Sequence, residues 1–274
     1  MSICHPAPTL TEKNLPSQVF IVTGSSSGFG KELAKILYQR DAKVYVATRS
    51  ETKALAAIDE IRTLSPNSKG ELVYLHLDLN DLAAVKRSAQ EFMSKESRLD
   101  VLWNNAGVML PAEGSTTAQG YELQLGVNTI ASFAFSLHLR PIMAATAKTA
   151  PKNSVRVAWV ASIAAKEAPK PPIDFSNLNY ERKDESQWMK YRRSKAGMVM
   201  LAAEYARRTA GEGISLEPGV AKTDLQRNMP VSQRLLVSTF GFEPKKGAYT
   251  QLFAGLSPEV TANSYGLWGA SQRS

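Results

Sequence analysis

Six short runs of β-branched and aromatic residues alternate with longer stretches of helical period, and no other feature restricts the fold of this 274-residue chain as strongly. The runs are QVFIVT (18–23), KVYVAT (43–48), ELVYLHL (71–77), LDVLWN (99–104), VRVAWVAS (155–162) and GISLEP (213–218). Several are apolar almost throughout, as strands covered on both faces require. Between them, stretches such as FGKELAKILYQR, LAAVKRSAQEFMSK and SKAGMVMLAAEYARR have the length and amphipathic spacing of ordinary helices. The alternation predicts an α/β fold: a single doubly wound parallel sheet with helices on both faces. Residues 1–17 read as an N-terminal arm and 18–274 as one domain, near the upper size for a single core. The Pro- and Lys-rich segment 166–187 breaks the pattern and reads as a long loop over an edge that helps to build a substrate pocket.

Composition narrows the setting. Cys4 is the only cysteine, so no internal disulfide can form and a reducing, cytoplasmic compartment is expected. The N-terminus lacks a basic segment followed by an apolar one, and no apolar run reaches the length of a membrane span. The formal charge of +8 is spread in short doublets, Arg192-Arg193, Arg207-Arg208 and Lys245-Lys246, which read as solvated helix faces. Nucleic acid is therefore not an expected partner, and a phosphate-bearing small molecule is the better candidate.

Such a molecule has a place to bind. TGSSSGFG (23–30) follows the first strand and opens a helical stretch, with Ser26, Ser27 and Phe29 among its glycines. Gly24 permits a tight turn, while Gly28 and Gly30 let backbone approach a pyrophosphate and let helix pack on strand. The helix N-terminus then offers free N–H groups to the phosphates. A flexible serine-rich loop is the alternative. At the tail of the second strand, where an NAD-type site carries an acid for the ribose 2′-hydroxyl, Thr48 stands beside Arg49. A guanidinium binds a 2′-phosphate that a carboxylate would repel, so NADP(H) is expected over NAD(H).

YRRSK (191–195) places Tyr191 and Lys195 at i and i+4, on one face if the segment is helical. Reducing a ketone or aldehyde requires a proton donor within reach of its oxygen, and a phenol can serve. Its free pKa of about 10 suits neutral operation poorly, but a neighbouring ammonium favours the phenolate. A solvated surface pair is the alternative. His5, His76 and His138 lie far apart in sequence and show no metal-ligand spacing. Ser162 lacks the glycine-flanked elbow of a hydrolase.

Taken in order, TGSSSGFG, NNAG (104–107), Asn128 in GVNTIAS, Ser162 in WVASIAA, YRRSK and PGVAKT (218–223) resemble the short-chain dehydrogenase/reductase family over nearly the whole chain. The closest resemblance is to its retinol dehydrogenase and fungal carbonyl reductase branch. The resemblance implies a Rossmann-type domain in which Asp78 and Leu79 meet the adenine, and Asn105, Ala106 and Gly107 lie along the adenosine half. It implies that Val220 contacts the cofactor, that Thr223 holds the nicotinamide carboxamide, and that Pro218 and Gly219 shape the wall behind the ring. Tyr191 is then the acid/base, Lys195 tunes it and binds the ribose, Ser162 donates to the substrate oxygen, and Asn128 supports a proton relay. Alternatives stand beside these roles: Asp78 as a cap for a helix near Asp81, NNAG and Ser162 as strand-ending turns, Asn128 as a helix-surface amide.

Two departures from the branch stand out. Only TAGEGISLE leads into Pro218, and the C-terminal TANSYGLWGASQRS is short. An incomplete final strand would leave a sheet edge open to self-association, so a homo-oligomer is allowed for. The expected function is NADP(H)-dependent hydride transfer to or from a small carbonyl or alcohol substrate. A nucleotide-sensing or scaffold protein of the same fold is the rival.

Overall fold

In the computed structural model, which describes residues 14–209, 213–219, 222–260 and 267–269, the side chains of β1 (Val19–Thr23) divide between two cores. Phe20 and Val22 enter one, Val19 and Ile21 the other. The twofold period of a strand produces the division, and it repeats across the sheet. In β2 (Lys43–Thr48), Val44 and Val46 face Tyr45 and Ala47 across the sheet plane. After β3 (Glu71–His76) and β4 (Val101–Asn104), β5 (Arg156–Val160) sends Ala158 and Val160 one way and Val157 and Trp159 the other. Burying side chains such as Trp103 and Trp159 completely contributes about 2–3 kcal/mol each before conformational entropy is counted.

The helices are α1 (Gly28–Tyr38), α2 (Glu51–Leu64), α3 (Leu82–Lys95), α4 (Ser132–Ala147), α5 (Gln187–Arg208), α6 (Val231–Phe240) and α7 (Pro244–Leu256). Residues of α1, α2 and α7 fill the core on one face; those of α3, α4 and α5 fill the other. A π-helical turn, Leu125–Ala131, leads into α4. Local sequence starts several helices: Ser50 accepts from the Lys53 amide, Asp81 from those of Ala83 and Ala84, and Ser186 from that of Met189. Asp81, rather than Asp78, is the cap of α3.

With β6 (Gly213–Glu217) and β7 (Leu267–Gly269), the strands form one parallel sheet in the order β3-β2-β1-β4-β5-β6-β7. The chain works outward from β1 to β3 and then returns to pair β4 against β1. The connections leaving β1 and β4 thus diverge, opening a crevice at the carboxyl ends of the strands. Six of these strands coincide with the periodic runs of the sequence; the seventh is a three-residue segment too short to show a period. It pairs along Ser215–Glu217, so β6 is an interior strand and the sheet ends on β7.

Candidate active site

Strand register brings the two glycine-containing motifs together. Val22 pairs with Trp103, so the turn after β1 lies beside the turn after β4. The Thr23 hydroxyl accepts from the amides of Asn105 and Ala106 at 3.0 and 2.9 Å, and the Asn105 side-chain amide donates to the Thr23 carbonyl at 2.8 Å. Gln251 on α7 donates to the Asn105 side-chain oxygen at 2.9 Å, locking the motif from behind. Gly24 has φ +67°, and a Cβ there would stand 2.9 Å from the Ala106 Cα. Gly28 has φ +57° and faces the Thr223 side chain. Left-handed backbone and a close approach both require glycine here. NNAG is therefore more than the end of a strand: it is the second wall of a cleft whose first wall is the glycine turn.

A chamber of about 870 Å³ occupies this cleft. Of the residues singled out from sequence, Gly24, Ser26, Ser27, Gly28, Phe29, Asn105, Ala106, Gly107, Ser162, Tyr191, Lys195 and Thr223 line it. Gly30 sits behind the lining in the first turn of α1. Arg49 is exposed just beyond β2 and makes no ion pair among the described residues. Asp78 accepts from the Asn80 amide at 2.9 Å, and Leu79 is buried in the core shared with α3, α4 and α5. Val220 lies outside the described residues.

The chemistry-bearing end of the chamber is built by β5 and α5. Val160 pairs with Leu216, which sets Ser162 beside the Pro218-Gly219 turn, and Ser162 caps a 3-10 turn, Ile163–Glu167. Tyr191 lies in the first turns of α5 and is 4% exposed, with the Ser162 side chain close enough to act on its hydroxyl. One turn on, Lys195 is equally buried; its ammonium donates to the Val160 carbonyl at 2.8 Å and stands 5.8 Å from the centre of the Tyr191 ring. The solvated-pair alternative is thereby removed. Asn128 is fully buried in the π-helical turn, so it is not a surface amide. It accepts from the Val108 amide at 2.8 Å and donates to the Val108 carbonyl and the Ser194 hydroxyl, both at 3.0 Å. Gly107 lies between Asn128 and the Lys195 ammonium, where a Cβ would touch both.

Burial sets the ionisation of the pair. It pushes the Tyr191 phenol up to about 12, against which the Ser162 side chain acts, and brings the Lys195 ammonium down to about 8. At neutral pH the phenol keeps its proton and the lysine is largely charged.

Other lining residues escaped the sequence reading. Trp188 presents its ring edge-on to Tyr191, with centroids 6.1 Å apart. It stands three positions before Tyr191, so the helical spacing that ties Tyr191 to Lys195 could have found it. Met109 and Met229 come from loops and Leu225 from a 3-10 turn, Asp224–Asn228, and none carried a periodic signal. Arg192 and Arg193, read as a solvated doublet, are not one. Arg192 lines the chamber and pairs with Glu167 at 2.7 Å. Arg193 is buried, joined to Glu185 through two hydrogen bonds of 2.6 and 2.7 Å, and donates to the carbonyls of Pro171 and Pro172.

The geometry fits a dinucleotide. A glycine turn opens onto the N-terminus of α1 at one end of the chamber, and hydroxyl, phenol and ammonium groups meet at the other. The family model described as short chain dehydrogenase matches residues 18–171. A short-chain dehydrogenase/reductase of Emericella nidulans is 53% identical, the alignment covering 93% of this chain and 84% of that protein. Another, from Phomopsis amygdali, is 48% identical over 96% of this chain and 83% of its own length. These fungal relatives agree with the fungal side of the resemblance drawn from sequence. Among solved structures, the NADP active-site complex of RhlG from Pseudomonas aeruginosa has a TM-score of 0.70 at 23% identity, covering 93% of this chain and 95% of that one. A short chain dehydrogenase of Escherichia coli complexed with NADPH has a TM-score of 0.72 at 18% identity, covering 96% and 100%. The structural likenesses establish the fold, while the matched residues and the identities to the fungal proteins establish the lineage: this chain belongs to the short-chain dehydrogenase/reductase family of nicotinamide-dependent oxidoreductases.

Proposed function

We propose that the protein is an NADP(H)-dependent oxidoreductase that interconverts the carbonyl and alcohol forms of a small organic substrate, with Tyr191 as proton donor and acceptor. The observation that carries this reading is that Tyr191, Ser162 and Lys195 line one end of a single chamber that runs on to the glycine turn. The two hydroxyls at that end can both donate to a carbonyl oxygen that enters between them.

Bound NADPH supplies the hydride, and the chain's own residues position and protonate. Gly24, Gly28 and the amides at the start of α1 receive the pyrophosphate; Asn105, Ala106 and Gly107 take the adenosine half; Thr223 takes the carboxamide. Ser162 donates to the substrate oxygen and stabilises the charge that grows there. Tyr191, protonated at neutral pH, gives that oxygen its proton. Lys195 stabilises the phenolate left behind, and Asn128 holds the backbone of Val108 and the Ser194 side chain around it. Preference for the 2′-phosphate is assigned to Arg49, an exposed guanidinium at the end of β2 with Thr48 where an acid would repel the phosphate. The NADP and NADPH complexes of RhlG and of the Escherichia coli dehydrogenase are consistent with that assignment.

The test follows NADPH and NADH oxidation over a panel of ketones and aldehydes with wild type and Tyr191→Phe. Removing the proton donor is expected to lower kcat by about 10²–10⁴ while NADPH still binds. Equal turnover by both proteins would sink the role of Tyr191. NADPH binding without turnover of any carbonyl by wild type would favour a nucleotide sensor.

A further inference from the structure

A separate apolar cluster walls the chamber around Tyr191, and opposed charges line it as well. Met109, Ala164, Trp188, Leu225 and Met229 converge on the phenol from four stretches of chain. A compound whose carbonyl reaches Tyr191 and Ser162 must lay its flank against thioethers, an isobutyl group and an indole. These surfaces give a ligand's polar groups no partners and adapt readily to apolar ones.

Among the described residues, the charged ones lining the chamber besides Lys195 are Glu167, Arg192, Asp224 and Arg227, two acids against two bases. Arg192 and Glu167 are joined at 2.7 Å, with side chains 33% and 56% exposed. Arg192 follows Tyr191 directly in α5, and Glu167 ends the 3-10 turn capped by Ser162. The pair therefore ties together the two elements that carry the hydroxyls. An anionic compound entering there meets a dipole instead of an isolated guanidinium, and it gains Arg192 as a charge partner only by displacing Glu167. A neutral compound leaves the pair intact.

Resting on the carbonyl–alcohol reading above, we infer that the Glu167–Arg192 pair is a charge filter: it admits neutral, apolar ketones and aldehydes and turns away those bearing a carboxylate. Glu167 is the deciding residue, because it occupies the guanidinium that would otherwise hold the anion.

The experiment uses near-isosteric pairs. Neutral p-nitrobenzamide and anionic p-carbamoylbenzoate, which are not expected to be reduced, are titrated calorimetrically into the full chain with NADPH present. The corresponding aldehydes, p-nitrobenzaldehyde and p-carboxybenzaldehyde, are followed by NADPH oxidation. Wild type is expected to bind the neutral amide at least about tenfold more tightly. Glu167→Gln is expected to narrow that gap by about tenfold through tighter binding of the anion, with a matching change in the kcat/KM ratio of the aldehydes. Arg192→Gln removes the guanidinium and is expected not to narrow it. Equal affinities in wild type, no binding of the neutral amide, an unchanged gap in Glu167→Gln, or the same narrowing in Arg192→Gln each overturns the filter. The amides report on the filter without turnover. A protein that sorts the amides yet reduces neither aldehyde keeps the filter and loses the carbonyl-reduction reading; one that reduces both aldehydes but binds the amides equally loses the filter alone.

Discussion

The Lys195 ammonium is held 2.8 Å from the carbonyl oxygen of Val160, which ties the helix carrying Tyr191 to the strand that leads into Ser162. The same burial that fixes the geometry lowers the Lys195 pKa to about 8 and raises that of Tyr191 to about 12. Below about 8 the lysine is charged and can stabilise the developing phenolate; above it that charge is lost, while the phenol remains protonated. Carbonyl reduction is thus expected to be flat on the acidic side and to fall as pH rises through about 8. Lys195→Met should be slow and lack this limb. A pH–kcat profile checks it, and a wild-type rate that climbs through the same region would contradict the assignment.

Gly24 leaves no room for a side chain. Its φ of +67° and the mere 2.9 Å that would separate an added Cβ from the Ala106 Cα act together. Gly24→Ala is expected to destabilise the fold by about 2 kcal/mol or more and to weaken NADPH binding by about tenfold, since the turn must shift to relieve the contact. Thermal unfolding and fluorescence titration with NADPH measure the two effects.

Arg49 lies outside the chamber and makes no ion pair among the described residues, so its removal should leave the fold alone. Arg49→Ala is expected to raise the Kd for NADPH by about tenfold and to change that for NADH by less than about twofold. Parallel titrations decide; an equal loss for both nucleotides would place the role of Arg49 elsewhere.

Arg193 fastens the 166–187 loop to α5. Its guanidinium bonds to Glu185 and to two proline carbonyls, with side-chain exposures of 10% for Arg193 and 15% for Glu185. Arg193→Met strands a mostly buried carboxylate and is expected to cost about 2–3 kcal/mol in urea unfolding, reduced from a fully buried pair by the remaining exposure. Adding Glu185→Leu should recover part of that loss, because the unpaired charge is then gone. Protease cutting within 166–187 should follow the same order.

The two arginines after Tyr191 show where reading by pattern stops. Their side chains point in different directions around α5, and their acidic partners, Glu167 and Glu185, come from the preceding loop. Nothing in a basic doublet says whether an acid will fold back onto it, so Arg192 and Arg193 read as solvated although one lines the chamber and the other is buried. Tyr191 and Lys195 were legible because their relation is local: a spacing of four residues is a shared helix face.

The same physical distinction separates the levels of the whole protein. Short-range periodicity in the sequence determined the strands from β1 to β6, the helices between them, the doubly wound α/β class and the glycine turn, because each depends on backbone geometry within a few residues. Tertiary structure alone decided that Gly24 abuts Ala106, that Ser162 meets Tyr191, that β7 covers β6 and that an apolar wall with a neutralised charge pair surrounds the phenol. Those relations join residues far apart in the chain, and they follow from strand register and sheet order, which local sequence does not encode.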